Sequence, residues 1–153
     1  MLLGSDRTPH EQFIQSAGEI LRIETDALCA AVSESASLHK LLLRSVQVQF
    51  LQTAQTAFAN ATYTIDVRLA RWLLMCRDRL DSDDLQITHE FLSIMLGATR
   101  SSTTLAVQSL EGHGLIKARR GRITILKREV MEAVADGGYG PPEAEFARLI
   151  EGA

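Results

Sequence analysis

The sequence of 153 residues predicts a mainly α-helical protein with a small amount of β structure. A helical pattern without Pro or Gly runs from 38 to 61 and is the longest in the chain. Two shorter helical patterns then meet at Gly97, and two strand-like runs flank Gly121. Together these observations predict a long helix followed by a helix-turn-helix with a β-hairpin wing beside it.

The composition is that of a folded protein, since 46% of the residues are hydrophobic and 23% are charged. No apolar run reaches the roughly 18 residues of a membrane span, and the N-terminus lacks the basic start and apolar stretch of a signal peptide. We therefore expect a cytoplasmic protein without a membrane partner. Cys29 and Cys76 are too few and too far apart for a disulfide framework or a metal cluster, so we expect no metal and no cofactor.

The net charge of −3 argues against a nucleic-acid partner when the chain is taken as a whole. The charge is unevenly distributed, however. Residues 66–128 hold 11 Lys and Arg against 7 Asp and Glu, a net charge of +4, whereas residues 1–65 carry −2 and residues 129–153 carry −5. The middle of the chain is therefore the part whose charge suits nucleic acid.

Residues 1–35 begin with a polar stretch and continue with a strand-like pattern. Short apolar runs on either side of Gly18 predict two strands over residues 11–24. Thr25 is then the predicted N-cap of a short helix that continues to Val32.

Residues 36–62 are predicted to form one long helix with Ser37 as its N-cap. A row of side chains on this helix has alternating spacings of three and four residues, which is typical of the seam that one helix presents to another. The pattern alone fits a core stripe within the chain as well as a dimer interface. The seam comprises Leu43, Val46, Phe50, Thr53 and Ala57.

Thr64 is the predicted N-cap of the next helix, which has one apolar face. Trp72 lies at the centre of this face, so we expect it in the core rather than at a ligand. The acidic stretch at 81–84 lacks the Gly and the terminal Glu of a calcium loop and is interpreted as a solvated turn.

Residues 88–112 have the pattern of a helix-turn-helix. Thr88 is the predicted N-cap of the first helix, and Gly97 can adopt the left-handed conformation that a sharp turn needs. Thr99 is the predicted N-cap of the second helix, spanning about 99–110. Its predicted buried stripe comprises Thr103, Ala106, Val107 and Leu110.

The opposite face of the second helix has the chemistry of a major-groove reader. Arg can bond guanine bidentately, Ser and Thr can bond base edges or phosphates, and Leu can contact a thymine methyl group. No acidic residue interrupts this face before Glu111. The exposed residues are Arg100, Ser101, Thr104, Leu105 and Gln108.

A β-hairpin wing is predicted downstream, with strands at 115–118 and 123–126. Arg119, Arg120 and Arg122 surround Gly121 at its tip, within the basic segment 117–126. A hairpin turn needs the glycine but not the positive charges, so phosphate contact is the favoured use of the arginines. A solvated charged turn is the alternative.

The run ITHEFLSIMLGATRSSTTLAVQSLEGHGLI over residues 87–116, followed by RRGRITI, resembles the winged helix-turn-helix of Crp/Fnr-type bacterial transcription regulators. The resemblance implies a DNA-binding domain over 63–135, preceded by a dimerisation helix over 36–62. It implies base-facing roles for Arg100, Ser101, Thr104 and Leu105. It also implies phosphate contacts for Thr88, His89, Thr99 and Ser102, to which we add Gln108 and the wing arginines.

The departures from this family concern the N-terminal effector domain. Only two strands and a short helix within residues 1–35 match it, so most of that domain is expected to be absent. No phosphate-binding cassette precedes the long helix, and no N-terminal cysteine cluster could hold an iron–sulfur centre. Ser101 stands where many members carry Glu, so the family's usual target sequence does not transfer.

No nucleophile elbow, metal-binding HExxH, P-loop or dinucleotide fingerprint is present, so we do not expect an enzyme. The acidic tail, residues 136–153, is predicted to contain a short helix at 143–150 that packs on its own domain. The sequence therefore predicts a dimeric, sequence-specific transcription regulator that binds double-stranded DNA at a roughly palindromic site. The alternative is a protein-interaction module that pairs with full-length family members.

Overall fold

A computed structural model describes residues 4, 5, 7–16 and 18–152. The described chain is mainly helical, with three short strands, and the predicted fold class is confirmed. In chain order the elements are α1 Thr25–Glu34, α2 Ala36–Thr62, α3 Ile65–Leu80, β1 Asp84–Leu85, α4 His89–Leu96, α5 Arg100–Gly112, β2 Ile116–Arg119, β3 Arg122–Ile125, α6 Arg128–Val134, α7 Pro141–Phe146 and a π-helical segment Ala147–Glu151.

The two strands predicted over residues 11–24 are wrong, because the described residues of this stretch form no strand. Two strands alone are only marginally stable, and here no neighbouring described strand pairs with them. Their apolar side chains stay exposed, with Ile20 at 71% and Leu21 at 99%. Phe13 makes an edge-to-face contact with Phe91 on α4, with 6.2 Å between the ring centroids.

The caps of α1 and α2 are each displaced from the predicted residue. Glu24 is the N-cap of α1, so Thr25 is its first residue rather than its cap. Ser35, not Ser37, caps α2, because its extended backbone lets its hydroxyl accept a hydrogen bond from the Leu38 N–H. The resulting α2 has 27 residues and is about 40 Å long.

Helix α3 supplies the centre of the core, with Leu69, Leu73 and Leu74 fully buried against α4, α5 and α6. Trp72 packs against this core as predicted, and its ring lies 6.0 Å from that of Phe91. Burial raises the pKa of the neighbouring Cys76 thiol to about 12. This thiol is therefore neutral at physiological pH and acts as a packing group.

The strands form a three-stranded antiparallel sheet in the order β1-β3-β2. Strand β1, which pairs Leu85 with Ile123, was not predicted because two residues are too short for a period-2 pattern. Strands β2 and β3 form the predicted hairpin, each shifted by one residue from its predicted bounds.

The tail helix begins at Pro141, earlier than predicted, and passes into the π-helical segment after Phe146. It packs against α2 rather than only on the domain that precedes it. Arg44 on α2 donates a hydrogen bond to the main-chain oxygen of Leu149 at 3.2 Å. Residues 141–151 therefore cover one side of the long helix.

Candidate nucleic-acid interface

The two helices α4 and α5 are positioned by local caps and one glycine. The Thr88 hydroxyl accepts a hydrogen bond from the Phe91 N–H, and the Thr99 hydroxyl accepts one from the Ser102 N–H. Gly97 ends α4 with φ = 56°, a left-handed conformation that other residues adopt at a cost. The two caps and the left-handed glycine that were predicted from the sequence are thus all present.

The buried stripe of α5 fixes the rotation of this helix. Its predicted members Thr103, Ala106, Val107 and Leu110 are all buried. The Thr103 hydroxyl is satisfied because it donates to the main-chain oxygen of Thr99 at 3.0 Å. With this stripe facing the core, the opposite face of α5 must point outward.

The outward face carries the predicted base-facing residues. Arg100, Ser101 and Leu105 are exposed, with Leu105 at 66%. Thr104 is half-buried because His89, the first residue of α4, lies against it. Their Nδ1 and Oγ1 atoms are 3.2 Å apart.

Three hydroxyl groups cluster at the N-terminus of α5. Thr99 Oγ1 lies 3.0 Å from Ser101 Oγ and 2.8 Å from Ser102 Oγ. Backbone N–H groups at a helix N-terminus attract anions, and hydroxyls can add donors to them. This end of α5 can therefore donate to a phosphate from both the backbone and the side chains.

The wing places a second group of donors beside α5. Arg119 pairs with Arg122 across the hairpin, and Gly121 has φ = 72° at its tip. The side chains of Arg119, Arg120 and Arg122 are exposed, and none has an ion-pair partner within the described part of the chain.

Glu111 holds the wing in place relative to α5. Its Oε1 atom accepts a hydrogen bond from the Ala118 N–H on β2 at 2.8 Å. The sequence did not identify this role, because the contact joins residues in separate elements. It fixes the distance between the face of α5 and the arginines of the wing.

An open cleft lies between α4, α5 and the wing, and it brings many of the predicted DNA-contacting residues together. Ser101, Leu105, Thr99, Ser102 and Arg122 lie outside its lining. The predicted contacts that line it are Thr88, His89, Arg100, Thr104, Gln108, Arg119 and Arg120.

The seam predicted on α2 is not a core stripe within the described chain. Leu43 and Phe50 are 42% and 66% exposed, Thr53 and Ala57 are also exposed, and Val46 is half-buried. The tail contacts α2 elsewhere, at the guanidinium of Arg44. The seam is therefore left open.

Arg71 is a structural residue that the sequence analysis missed. Although arginine is a charged residue, Arg71 on α3 is only 3% exposed. Burial lowers its pKa. Its Nε donates to the main-chain oxygen of Gly138, and its Nη2 donates to Thr56 Oγ1. The position of this arginine between apolar neighbours on a helix was the sequence feature that could have indicated its burial.

A second missed cluster joins α3 to the tail. Arg128 donates to Asp78 Oδ1 at 2.7 Å and to the Tyr139 hydroxyl at 2.9 Å, and Tyr139 in turn donates to Asp78. Burial, reinforced by Asp78, raises the pKa of Tyr139. The cluster fastens the start of the tail to the domain that contains α4 and α5.

A helix-turn-helix flanked by a basic β-hairpin defines the class as a winged helix-turn-helix, a DNA-binding fold. Residues 67–134 match the family model of the Crp-like helix-turn-helix domain. This part of the chain is therefore similar to the Crp-like helix-turn-helix domain, which confirms the resemblance to Crp/Fnr-type transcription regulators over these residues.

Solved structures share this fold. A protein described as a transcriptional regulator of the Crp/Fnr family from Eubacterium rectale is 25% identical with a TM-score of 0.55, covering 71% of this chain and 50% of that chain. A transcriptional regulator of the CRP family from Thermus thermophilus is 20% identical with a TM-score of 0.57, covering 75% of this chain and 56% of that chain. The chain thus spans about half the length of these structures. A search of curated proteins gives no match.

No helix in the described residues combines the length and the apolar character needed to cross a membrane.

Proposed function

We propose that this protein is a sequence-specific transcription regulator that binds double-stranded DNA as a homodimer. The observation that carries the proposal is the cleft between α5 and the wing. In this cleft the outward face of α5 lies next to the arginines of the wing. Helix α5 carries no acidic residue between positions 100 and 110. A helix of this kind fits into a major groove, and the arginines of the wing can then contact the neighbouring phosphates.

Base recognition is assigned to the outward face of α5. Arg100 can bond guanine O6 and N7, and Leu105 can contact a thymine methyl group. Ser101 and Thr104 offer hydroxyls that bond base edges. Because Ser101 is exposed and uncharged, the preferred sequence at its position is set by hydrogen bonding rather than by charge.

Phosphate contacts are assigned to groups around α5. These groups are the hydroxyls at its N-terminus, the first turn of α4 and the wing. Such contacts fix the register of the protein on the duplex without reading its sequence. The proposed residues are Thr88, His89, Thr99, Ser102, Gln108, Arg119, Arg120 and Arg122.

A second copy of this chain is the proposed occupant of the open seam on α2. The exposed Leu43 and Phe50 lie at helical spacing, as in a helix pair whose side chains interlock. A two-fold axis along α2 would place two α5 helices in successive major grooves about 34–36 Å apart. The target would then be a roughly palindromic site, and the protein would act in the cytoplasm, where bacterial DNA lies.

In vitro selection from a pool of random duplexes tests this function. We expect an enriched palindromic sequence whose binding weakens steeply as the salt concentration rises from about 50 to 200 mM. If no DNA is bound in a salt-sensitive way, the proposed activity is wrong. A monomer by light scattering would overturn the homodimer.

A second candidate function is pairing with a full-length family member. It is favoured by the exposed apolar residues near the N-terminus, of which Phe13, Ile20 and Leu21 are more than half exposed. Large exposed apolar groups often mark protein contacts. Mixed subunits in a pull-down with a full-length Crp/Fnr-type regulator, combined with no DNA binding by the homodimer, would favour this candidate over the first.

A further inference from the structure

His89 and Thr104 make a side-chain contact between the two helices of the motif. His89 begins α4, and Thr104 lies on the outward face of α5. The distance of 3.2 Å between Nδ1 and Oγ1 is that of a hydrogen bond. Both residues are half-buried and line the cleft, so the pair lies at the edge of the proposed DNA surface.

This hydrogen bond controls what Thr104 can offer to DNA. Within the part of the chain that the structure describes, the Thr104 hydroxyl has no other hydrogen-bond partner. A hydroxyl has one proton to donate and two lone pairs to accept with. Its remaining capacity therefore depends on whether the Nδ1 atom of His89 accepts or donates.

In one neutral form of imidazole, Nδ1 carries no proton and can only accept. The Thr104 hydroxyl then donates its hydrogen bond to Nδ1 of His89, so only its lone pairs remain for a base. Such a group matches an amino donor, which is N6 of adenine or N4 of cytosine. A nearby phosphate would favour this form, because Nε2 then carries the proton and can donate to it.

In imidazolium both ring nitrogens donate. Nδ1 of His89 then donates to Thr104 Oγ1, and the O–H of Thr104 becomes free to donate a hydrogen bond to a base in the groove. The hydroxyl can now donate to an acceptor, which is O6 or N7 of guanine, O4 of thymine or N7 of adenine. Adenine is therefore matched in both forms, whereas cytosine, which offers only its amino donor, is matched in the neutral form alone. A single proton on His89 thus reverses the hydrogen-bonding character of Thr104.

The charged groups around this pair come from every element that lines the cleft. Among side-chain types, histidine is the one whose ordinary charge change falls between about pH 5 and 8. His89 is the histidine in this lining, and its charged neighbours are Glu90 on α4, Arg100 and Glu111 on α5, and Arg119 and Arg120 on the wing.

We propose that His89 is a positioning residue that sets the base preferred opposite Thr104, and that its protonation changes this preference from cytosine to guanine or thymine. This inference rests on the proposed function, because it requires α5 to read bases through Thr104. It adds to that function a sequence preference that depends on pH.

The test compares duplexes that differ only in the base pair facing Thr104, located as the position whose preference is lost in Thr104→Val. The measured quantity is the ratio of the dissociation constants for guanine and for cytosine at this position, taken at one pH. Effects that act on all sequences alike, such as phosphate attraction, cancel in this ratio. Between about pH 8 and pH 5.5, we expect the preference for cytosine over guanine to fall by about three- to tenfold.

Two variants separate a titrating group from a merely structural one. His89→Gln retains a side chain that can hydrogen-bond to Thr104 but does not titrate, so its ratio should be independent of pH. His39→Gln, at an exposed position on α2, is the matched control and should keep the pH dependence of the unmodified protein.

The outcomes distinguish this inference from the proposed function. A ratio that is constant with pH in the unmodified protein, or one that still changes with pH in His89→Gln, overturns the role of His89 and leaves DNA binding intact. Failure to bind any duplex overturns the proposed function itself.

Discussion

The Nε atom of Arg71 donates a hydrogen bond to the main-chain oxygen of Gly138 at a distance of 2.8 Å. Arg71 lies on α3, Gly138 lies at the start of the tail, and the second donor of Arg71 reaches Thr56 on α2 at 3.1 Å. One buried guanidinium thus joins three segments. It sets the position of the long helix relative to the domain that carries α5.

Replacing Arg71 with Met should destabilise the protein. The change removes the hydrogen bonds that the guanidinium donates to the Gly138 carbonyl and to the Thr56 hydroxyl. Loss of hydrogen bonds that involve a charged group costs about 1.5–3 kcal/mol. The free energy of unfolding in urea measures the loss. Arg79→Met, at an exposed position on the same helix, should change it by about 0.5 kcal/mol or less. Equal losses in the two variants would contradict the role of Arg71.

Gly138→Ala should also destabilise, for a steric reason. An added Cβ would lie 2.9 Å from the Ala135 carbonyl oxygen and 3.2 Å from the Tyr63 ring. Overpacking of this kind costs about 1–3 kcal/mol. Gly112→Ala is the control, since an added Cβ there would meet nothing within 4 Å beyond its chain neighbours and the backbone of its own helix, and alanine favours a helix. Thermal unfolding should rank the control at or above the unmodified protein.

Arg100→Ala should relax the base preference of the protein. Loss of a bidentate contact to guanine costs about 1–3 kcal/mol at one position of the preferred site. Binding to random DNA should change much less. Titration of the selected site and of its single-base variants measures this difference, and an equal loss for all of them would place Arg100 on phosphate instead.

Arg120→Ala should weaken binding to every sequence alike. The arginine at the tip of the wing is proposed to neutralise one phosphate, so its loss should reduce the salt slope by about 1. Arg148→Ala is a matched control, because this arginine on the tail is paired with Glu145 at 2.6 Å. An unchanged salt slope in Arg120→Ala would leave the wing arginine as a solvated charge.

Phe50→Glu should dissociate the proposed homodimer. Phe50 is 66% exposed on the open seam of α2, and a carboxylate there would be buried against its symmetry mate. Sedimentation velocity should show a monomer whose circular dichroism is unchanged. Ser45→Glu, on α2 but outside the seam, should remain dimeric. A dimeric Phe50→Glu protein would contradict this interface.

Several features of the candidate site could be predicted from the sequence because their causes are local. The caps at Thr88 and Thr99 and the left-handed Gly97 each depend on a few neighbouring residues. The buried stripe of α5 follows from helical spacing, so the outward position of Arg100 was also predictable. The contact of His89 with Thr104 was not, because it joins two helices.

By itself, then, the sequence determined the helix-turn-helix, the basic wing and the long helix, since periodicity, capping and turn chemistry act over short distances. Only the tertiary structure decided that residues 11–24 form no described strand, that Arg71 is buried and that the tail covers one side of α2. A strand needs a partner, and a buried guanidinium needs acceptors from other segments. Those partners are far apart along the chain, so local patterns do not reveal them.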